Sequence, residues 1–319
     1  MNNVFIHIGL PRSGTTFLQQ YIFTSLPEFF LITIPFSNYG EPFQKLQYQD
    51  DTLYNHKEVK NELQALFTEK KVLISNENFT GQSLFWFNGN RTRIAQRLQQ
   101  LFPNAHIILT LRNQLDLLRS MYEINLQWKE TKTLDQFIIS ANEQFSLNDY
   151  TTGKTQNLKQ VRYPVTESYE HIEGYDYLPL IKLYQSLFPK VHILFYEDFV
   201  SNKKFFITQL EEALQTSFST KIKDVFFNSP KINAGLDAHQ AEKLRKLNRL
   251  AILAENNKLI AAYYHRKKRA VLQQPSTKEK IDFSAQKKQE LTRYFSEKNQ
   301  KLQQELSIIP EGLKSNYFL

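Results

Sequence analysis

The chain has 319 residues, 41% of them apolar, with 25 Phe, 16 Tyr and no cysteine. That is enough to bury a sizeable core and too aromatic for a wholly disordered chain, and the missing thiols exclude disulfides, thiolate nucleophiles and cysteine metal sites. A formal net charge of +8 suits an anionic ligand, an acidic acceptor or nucleic acid alike, and much of the excess sits in Lys243–Arg249 and His265–Arg269, which read as solvated helix faces.

The N-terminus MNNVFIHIGLPRSG has no basic segment leading into a long apolar run, and no stretch approaches 18 apolar residues. A soluble, cytoplasmic protein is the expectation. Val4–Ile8 reads as a short buried strand, Gly9 and Pro11 break the pattern, and Thr16–Leu26 reads as a helix with Phe17, Leu18, Tyr21 and Ile22 facing inward. Phe29–Asp51, holding Pro35, Gly40 and Pro42, reads as irregular. Asn55–Lys70 is expected to be helical, Lys71–Ser75 a strand, Asn90–Phe102 a helix, His106–Leu111 a strand and Asp116–Gln127 a helix. Lys132–Tyr175 mixes helical pieces with a polar loop. A helix at Leu178–Phe188, a strand at Val191–Tyr196 and a helix at Lys203–Leu214 follow. From about Ala238 the chain is mostly helical, with a long periodic stretch to His265, a helix at Gln286–Leu306 and an irregular tail from Ile308.

This alternation predicts a three-layer α/β fold, a mostly parallel central sheet flanked by helices, within one domain spanning residues 1–319. Ligands of such sheets bind at the carboxyl ends of the strands. The residues following the strands, Arg12, Glu77, Arg112 and Glu197, are therefore the ones that matter.

The segment Gly9-Leu10-Pro11-Arg12-Ser13-Gly14-Thr15-Thr16 lies between strand and helix. Glycines five apart let backbone N–H groups converge, the new helix adds its own unpaired N–H groups and dipole, Thr15 and Thr16 can donate hydroxyls, and Arg12 brings a full charge. Together they read as a phosphate cradle. A Walker loop would carry lysine where Thr15 stands, and no aspartate follows a strand in the usual magnesium-holding pattern. A P-loop small-molecule kinase is thus the weaker enzyme reading. A non-catalytic nucleic-acid-binding protein is a third class, although no zinc motif, RNA-binding aromatic motif or compact basic helix supports it.

VFIHIGLPRSGTTFLQQYI resembles the 5'-phosphosulfate-binding motif of sulfotransferases that use 3'-phosphoadenosine 5'-phosphosulfate (PAPS), with Arg12 where cytosolic animal members often carry lysine, as in bacterial and Golgi-type members. HIILTLRNQLDLLRSMY resembles the family's second motif, in which Arg112 and Ser120 match the residues that bind the 3'-phosphate. VLISNENFTG, FPKVHILFYEDFVSNKKFFITQLEEAL and YFSEKNQKLQQELSI are similar to later family segments. The Trp-containing loop and late basic loop of animal cytosolic members are not evident. The resemblance implies the P-loop-type sulfotransferase fold, PAPS as donor and PAP as product, no metal, and a nucleotide site of Pro11, Arg12, Ser13, Gly14, Thr15, Thr16, Arg112 and Ser120. It adds Asn233, in a stretch similar to the part of bacterial members that closes over the nucleotide.

Sulfuryl transfer needs a stabiliser for charge on the leaving phosphate and a base for the acceptor. Arg12 suits the first role, and its guanidinium cannot serve as an acid. Glu77 suits the second, provided burial raises its pKa; an acceptor-binding role for it, and Glu28 or Asp50 as base, remain alternatives. His7 and His106 sit within strands and read as packed. Asn76 and Asn78 either orient oxygens or cap the junction. Glu197 and Asp198 read as structural, bonding loop N–H groups or starting the next helix. Phe29–Gln49 and Trp128–Tyr175, rich in Tyr, Phe, Gln and Asn, are expected to line the entrance for the acceptor, a hydroxyl (less readily an amine) of a carbohydrate, glycolipid or small natural product.

Overall fold

A computed structural model describes residues 3–33, 40–67, 70–81, 91–139, 170–228, 235–275 and 279–318. The chain divides into two compact units, Met1–Asn113 with Tyr177–Ile232 and Lys298–Phe318, and Gln114–Asp176 with Asn233–Glu297.

The first unit is built on five strands: β1 (Val4–His7), β2 (Phe29–Thr33), β3 (Lys71–Ser75), β4 (His106–Leu111) and β5 (Lys190–Phe195). They lie in the order β2-β3-β1-β4-β5, every pairing parallel, which fulfils the parallel α/β expectation. Parallel sheets are buried on both faces, so their strands read as unbroken apolar runs. Phe5, Leu73, Ile108 and Leu194 on one face join Leu18 and Ile22, Phe206 and Leu210 of the helix Lys203–Leu214, and Phe226 of the helix Thr220–Asn228 in one core. Ile6, Ile74, Ile107 and Leu109 point the other way by strand alternation and are equally buried. Helices Gly40–Tyr48, His56–Leu66, Arg91–Leu101 and Tyr177–Leu187 flank the sheet and pack on one another.

The second unit is largely helical, with Gln114–Gln127, Ala238–Asn248, Ala251–Asn256 and Lys258–Leu272, and a two-residue parallel pairing of Ile138–Ile139 with Glu170–His171. Its interior is pinned by Asn248, whose amide donates to the carbonyls of Leu126 and Glu130 and accepts from Tyr264. No helix among the described residues is long and apolar enough to cross a membrane.

Four local expectations are corrected. Phe29–Asp51 is not irregular: Phe29–Thr33 forms the sheet's edge strand and Gly40–Tyr48 a helix. Pro42 sits in that helix's first turn, where its missing N–H costs nothing. The helix after the glycine loop passes from an α turn (Thr15–Phe17) into a π turn (Leu18–Ile22). The wider i→i+5 turn shifts its inner face, so Gln19 is buried and Tyr21 is 40% exposed. The long helical stretch from Ala238 breaks at Arg249–Leu250 as well as at Asn257 and runs on to Leu272. The C-terminal tail carries two ordered turns, Glu311–Leu313 and Lys314–Tyr317, with Ile309, Leu313 and Tyr317 buried.

Candidate functional site

The connection leaving β1 runs to one side of the sheet, toward β2, and the chain leaving the adjacent β4 reaches β5 on the other side. This is the switch point at which open parallel sheets form a crevice, and both sequence motifs open there.

The glycine loop is tied to β4 by Ile8 N–H to the Ile108 carbonyl (2.9 Å) and Leu10 N–H to the Thr110 carbonyl (3.1 Å). Arg12 and Gly14 both adopt left-handed backbone, φ 66° and 87°. Left-handed residues within a turn make the N–H groups converge into an anion-binding concavity. Gly9 is required by crowding rather than by φ, since a Cβ there would meet His7 Nε2 and Thr15 Cγ2 at 2.9 Å. Two hydroxyls of the expected cradle are already engaged: Ser13 Oγ donates to the Leu10 carbonyl and Thr15 Oγ1 to Glu77 Oε2 at 2.9 Å. Pro11 is buried, while Arg12, Gly14 and Thr16 are half-exposed. A ligand therefore meets backbone N–H groups of the helix start, Arg12 and Thr16.

Beneath the loop lies a layer of neutral polar groups. His7 Nδ1 is 2.8 Å from Ser75 Oγ and Nε2 is 3.2 Å from Thr110 Oγ1, and the Gln19 amide donates to Ser75 Oγ at 3.0 Å. Burial lowers the His7 pKa to about 3, so the ring is neutral and ties β1, β3 and β4 together. His106 opens β4 at the sheet's far end, ring-stacked with His192. Both histidines are packed, as expected.

Glu77 follows β3 in a 3-10 turn capped by Asn76, whose side-chain oxygen accepts from Asn78 N–H. Desolvation raises the Glu77 pKa, against the opposing pulls of the Thr15 hydroxyl and the Arg12 charge. The alternative carboxylates are engaged elsewhere: Glu28 accepts from Thr216 and Asp50 from the backbone and hydroxyl of Thr52.

Arg112, at the end of β4, donates through Nη1 to the Arg12 carbonyl at 2.7 Å, and its guanidinium lies 4.5 Å from the centroid of the Tyr196 ring. Its Nε is buried without a hydrogen-bond partner among the described residues. Arg97, a fully buried arginine, shows the contrast: its guanidinium donates to the carbonyls of Leu46 and Gln49 and to Asp51. Tyr196 also packs on the glycine loop, its ring 3.5 Å from where a Cβ on Gly14 would stand. Glu197 accepts from Asn113 N–H (2.7 Å) and the Tyr317 hydroxyl (2.9 Å), the loop-bonding arrangement expected of it. Asp198 is buried in the first turn of the helix Tyr196–Ser201.

Ser120 is buried in the helix Gln114–Gln127 of the second unit. In the same unit Arg119 is held by Asp116 (2.6 Å) and Asp282 (2.7 Å). Asn233, and residues 34–39 and 140–169 of the expected acceptor entrance, lie outside the described residues. The sequence reading missed Gln19, the Thr15–Glu77 bond, Tyr196 and Tyr317. Of these only Tyr196 left a signal, by its place at a strand's carboxyl end.

The chain is similar to the crystal structure of a sulfotransferase from Alicyclobacillus acidocaldarius, at 17% identity over 83% of this chain and 96% of that one with a TM-score of 0.42. It is also similar to the sulfotransferase domain from the curacin biosynthetic pathway, at 14% identity over 76% and 82% with a TM-score of 0.37. A search of curated proteins gives no match. The model of the sulfotransferase family matches residues 4–220, more than half of the chain, from β1 through both crevice motifs and past β5, and the chain belongs to that family.

Proposed function

We propose that this chain is a soluble, cytoplasmic sulfotransferase that takes its sulfuryl group from PAPS and passes it to a hydroxyl of a carbohydrate, glycolipid or small natural product, releasing PAP. The observation that carries the reading is the Thr15–Glu77 hydrogen bond. It joins the helix start of an anion cradle to a carboxylate whose pKa burial has raised, so anion site and base are adjacent. Arg112 supports the choice of a nucleotide with a second phosphate, because a buried, unpartnered Nε beside the glycine loop suits an anion.

PAPS would supply an activated sulfuryl group on its 5'-phosphate. Arg12 and the converging N–H groups hold the phosphate and stabilise negative charge where the leaving oxygen develops it, without giving up a proton. Glu77, ionised, would take the acceptor hydroxyl's proton while the sulfuryl group leaves the bridging oxygen of the 5'-phosphate, whose charge Arg12 would stabilise. The Thr15 hydroxyl keeps the Glu77 carboxylate aimed at the crevice. His7, Ser75, Thr110 and Gln19 form the rigid floor on which both stand.

The test is incubation with PAPS and a panel of glycans, phenols and amine-bearing natural products, read by mass spectrometry, together with retention on immobilised PAP. Sulfated product and retention that ATP does not compete away are expected. No product across the panel and no retention on PAP would overturn the reading, and an amine product would replace O-sulfation by N-sulfation.

A further inference from the structure

The peptide group joining Arg112 to Asn113 is gripped on both sides. Its carbonyl accepts from the Tyr177 hydroxyl at 2.5 Å, and its N–H donates to Glu197 Oε1 at 2.7 Å. Glu197 in turn spends its second oxygen on the Tyr317 hydroxyl at 2.9 Å. Tyr317 belongs to the tail's last helical turn, beyond residues 4–220 that carry the family match. It is 2% exposed, its ring meets Phe195 at the end of β5 edge-on, and its carbonyl accepts from the Asn299 amide at 2.9 Å. The tail makes a second attachment to the same loop, where the Asn113 amide donates to the Asn316 carbonyl. The end of the chain is thus fastened to the backbone from which Arg112 projects.

We infer that Tyr317 is a positioning residue for the anion site: its hydroxyl holds the Glu197 carboxylate on Asn113 N–H and so fixes the Arg112–Asn113 peptide, leaving the Arg112 side chain to the glycine loop and its ligand. The charge of Arg112 acts on the Glu197 carboxylate, whose loop partner Asn113 is the residue following Arg112. A carboxylate with one oxygen unsatisfied is drawn toward a nearby cation, and the charge of Arg112 already acts on Glu197. Engagement of both Glu197 oxygens by neutral donors keeps the arginine's charge available. The inference rests on the proposed role of Arg112 in reading a nucleotide's 3'-phosphate.

Four proteins test it: wild type, Tyr317→Phe, Glu197→Ala and the double variant. The readouts are calorimetric affinity for PAP and for adenosine 5'-phosphate, and the hydrogen-exchange rate of the Asn113 amide. Tyr317→Phe keeps the ring and its packing. It is expected to weaken PAP binding by roughly three- to tenfold, the scale of one hydrogen bond acting through a charged partner, while adenosine 5'-phosphate stays within about twofold, since that ligand lacks the group read. Asn113 exchange should quicken, and the double variant should be no worse than Glu197→Ala, because Tyr317 acts through Glu197. Unchanged Asn113 exchange in Tyr317→Phe, equal weakening of both nucleotides, or additive losses in the double variant would each overturn the inference and leave Tyr317 as a packing residue. If wild type binds neither nucleotide, the PAPS reading fails by itself, and the exchange rates still decide whether the tail clamps the loop.

Discussion

Two polar layers lie a few residues apart at the carboxyl edge of the sheet, and they are built on opposite principles. In the floor, His7, Ser75, Thr110 and Gln19 satisfy one another and carry no charge. In the layer above, Glu77, Arg12 and Arg112 are ionisable, Glu77 accepts from the Thr15 hydroxyl, and Arg112 keeps an Nε with no partner among the described residues. A satisfied neutral network stabilises and fixes geometry, whereas an incompletely satisfied charged one retains free energy for a ligand to release. Burial alone therefore does not mark a functional group. His7 is more deeply buried than Glu77, yet both its ring nitrogens are engaged by Ser75 and Thr110.

The sharpest way to break this contrast is Glu77→Gln. Loss of a positioned general base is expected to lower kcat by about 10²- to 10⁴-fold, with PAP affinity retained. Because desolvation raises the Glu77 pKa, the carboxylate is lost as pH falls through a value above the ordinary glutamate range. Wild-type kcat/KM should show that acid limb and the variant should lack it. A variant with near-normal turnover would move the base elsewhere.

Arg112→Ala comes next in size. A charge-assisted hydrogen bond contributes about 1.5–3 kcal/mol, so PAP affinity is expected to fall roughly ten- to hundredfold, with adenosine 5'-phosphate barely affected. Equal loss of both nucleotides in calorimetry would make Arg112 a support for the glycine loop through its bond to the Arg12 carbonyl.

The last effect concerns the floor and is one of stability, read as a slope against pH and not as a loss of turnover or binding. His7 titrates at about 3 in the folded chain and at its ordinary value of 6.5 when unfolded. Between those values the unfolded chain binds the extra proton, so the contribution of His7 to folding stability is fully present above pH 6.5 and is lost on acidification toward pH 3, at about 1.4 kcal/mol per pH unit. His7→Gln, which keeps a donor and an acceptor, should flatten the stability profile by that slope. Denaturant melts of both proteins at several pH values between 4 and 7 would show it, and identical slopes would place the titration elsewhere.

How much was legible follows from these particulars. The strands VFIH, KVLIS and HIILTL and the glycines at 9 and 14 announced the parallel sheet and its crevice, because buried strands read as apolar runs and a cradle needs residues without side chains. The edge strand Phe29–Thr33 was hidden by nearby prolines and glycine, and is decided by pairing with β3. Gln19 and Tyr21 exchanged places because a π turn has no sequence signature in the 3.6-residue period. Of the site, the sequence located Arg12, Glu77 and Arg112 at strand ends, but not what each would touch.

The sequence by itself determined the fold class, the glycine loop between strand and helix, and the charged residues at the strand ends, since periodicity, glycine spacing and strand-end position are local properties of the chain. Only the tertiary structure decided that Thr15 bonds Glu77 rather than awaiting a phosphate, that His7 is a neutral tie, and that Tyr317 reaches the loop of Arg112. Those contacts join residues 62, 68, 103, 120 and 84 positions apart along the chain. Their existence depends on which strands lie side by side and on the desolvation that packing imposes, and neither is encoded in any local stretch of sequence.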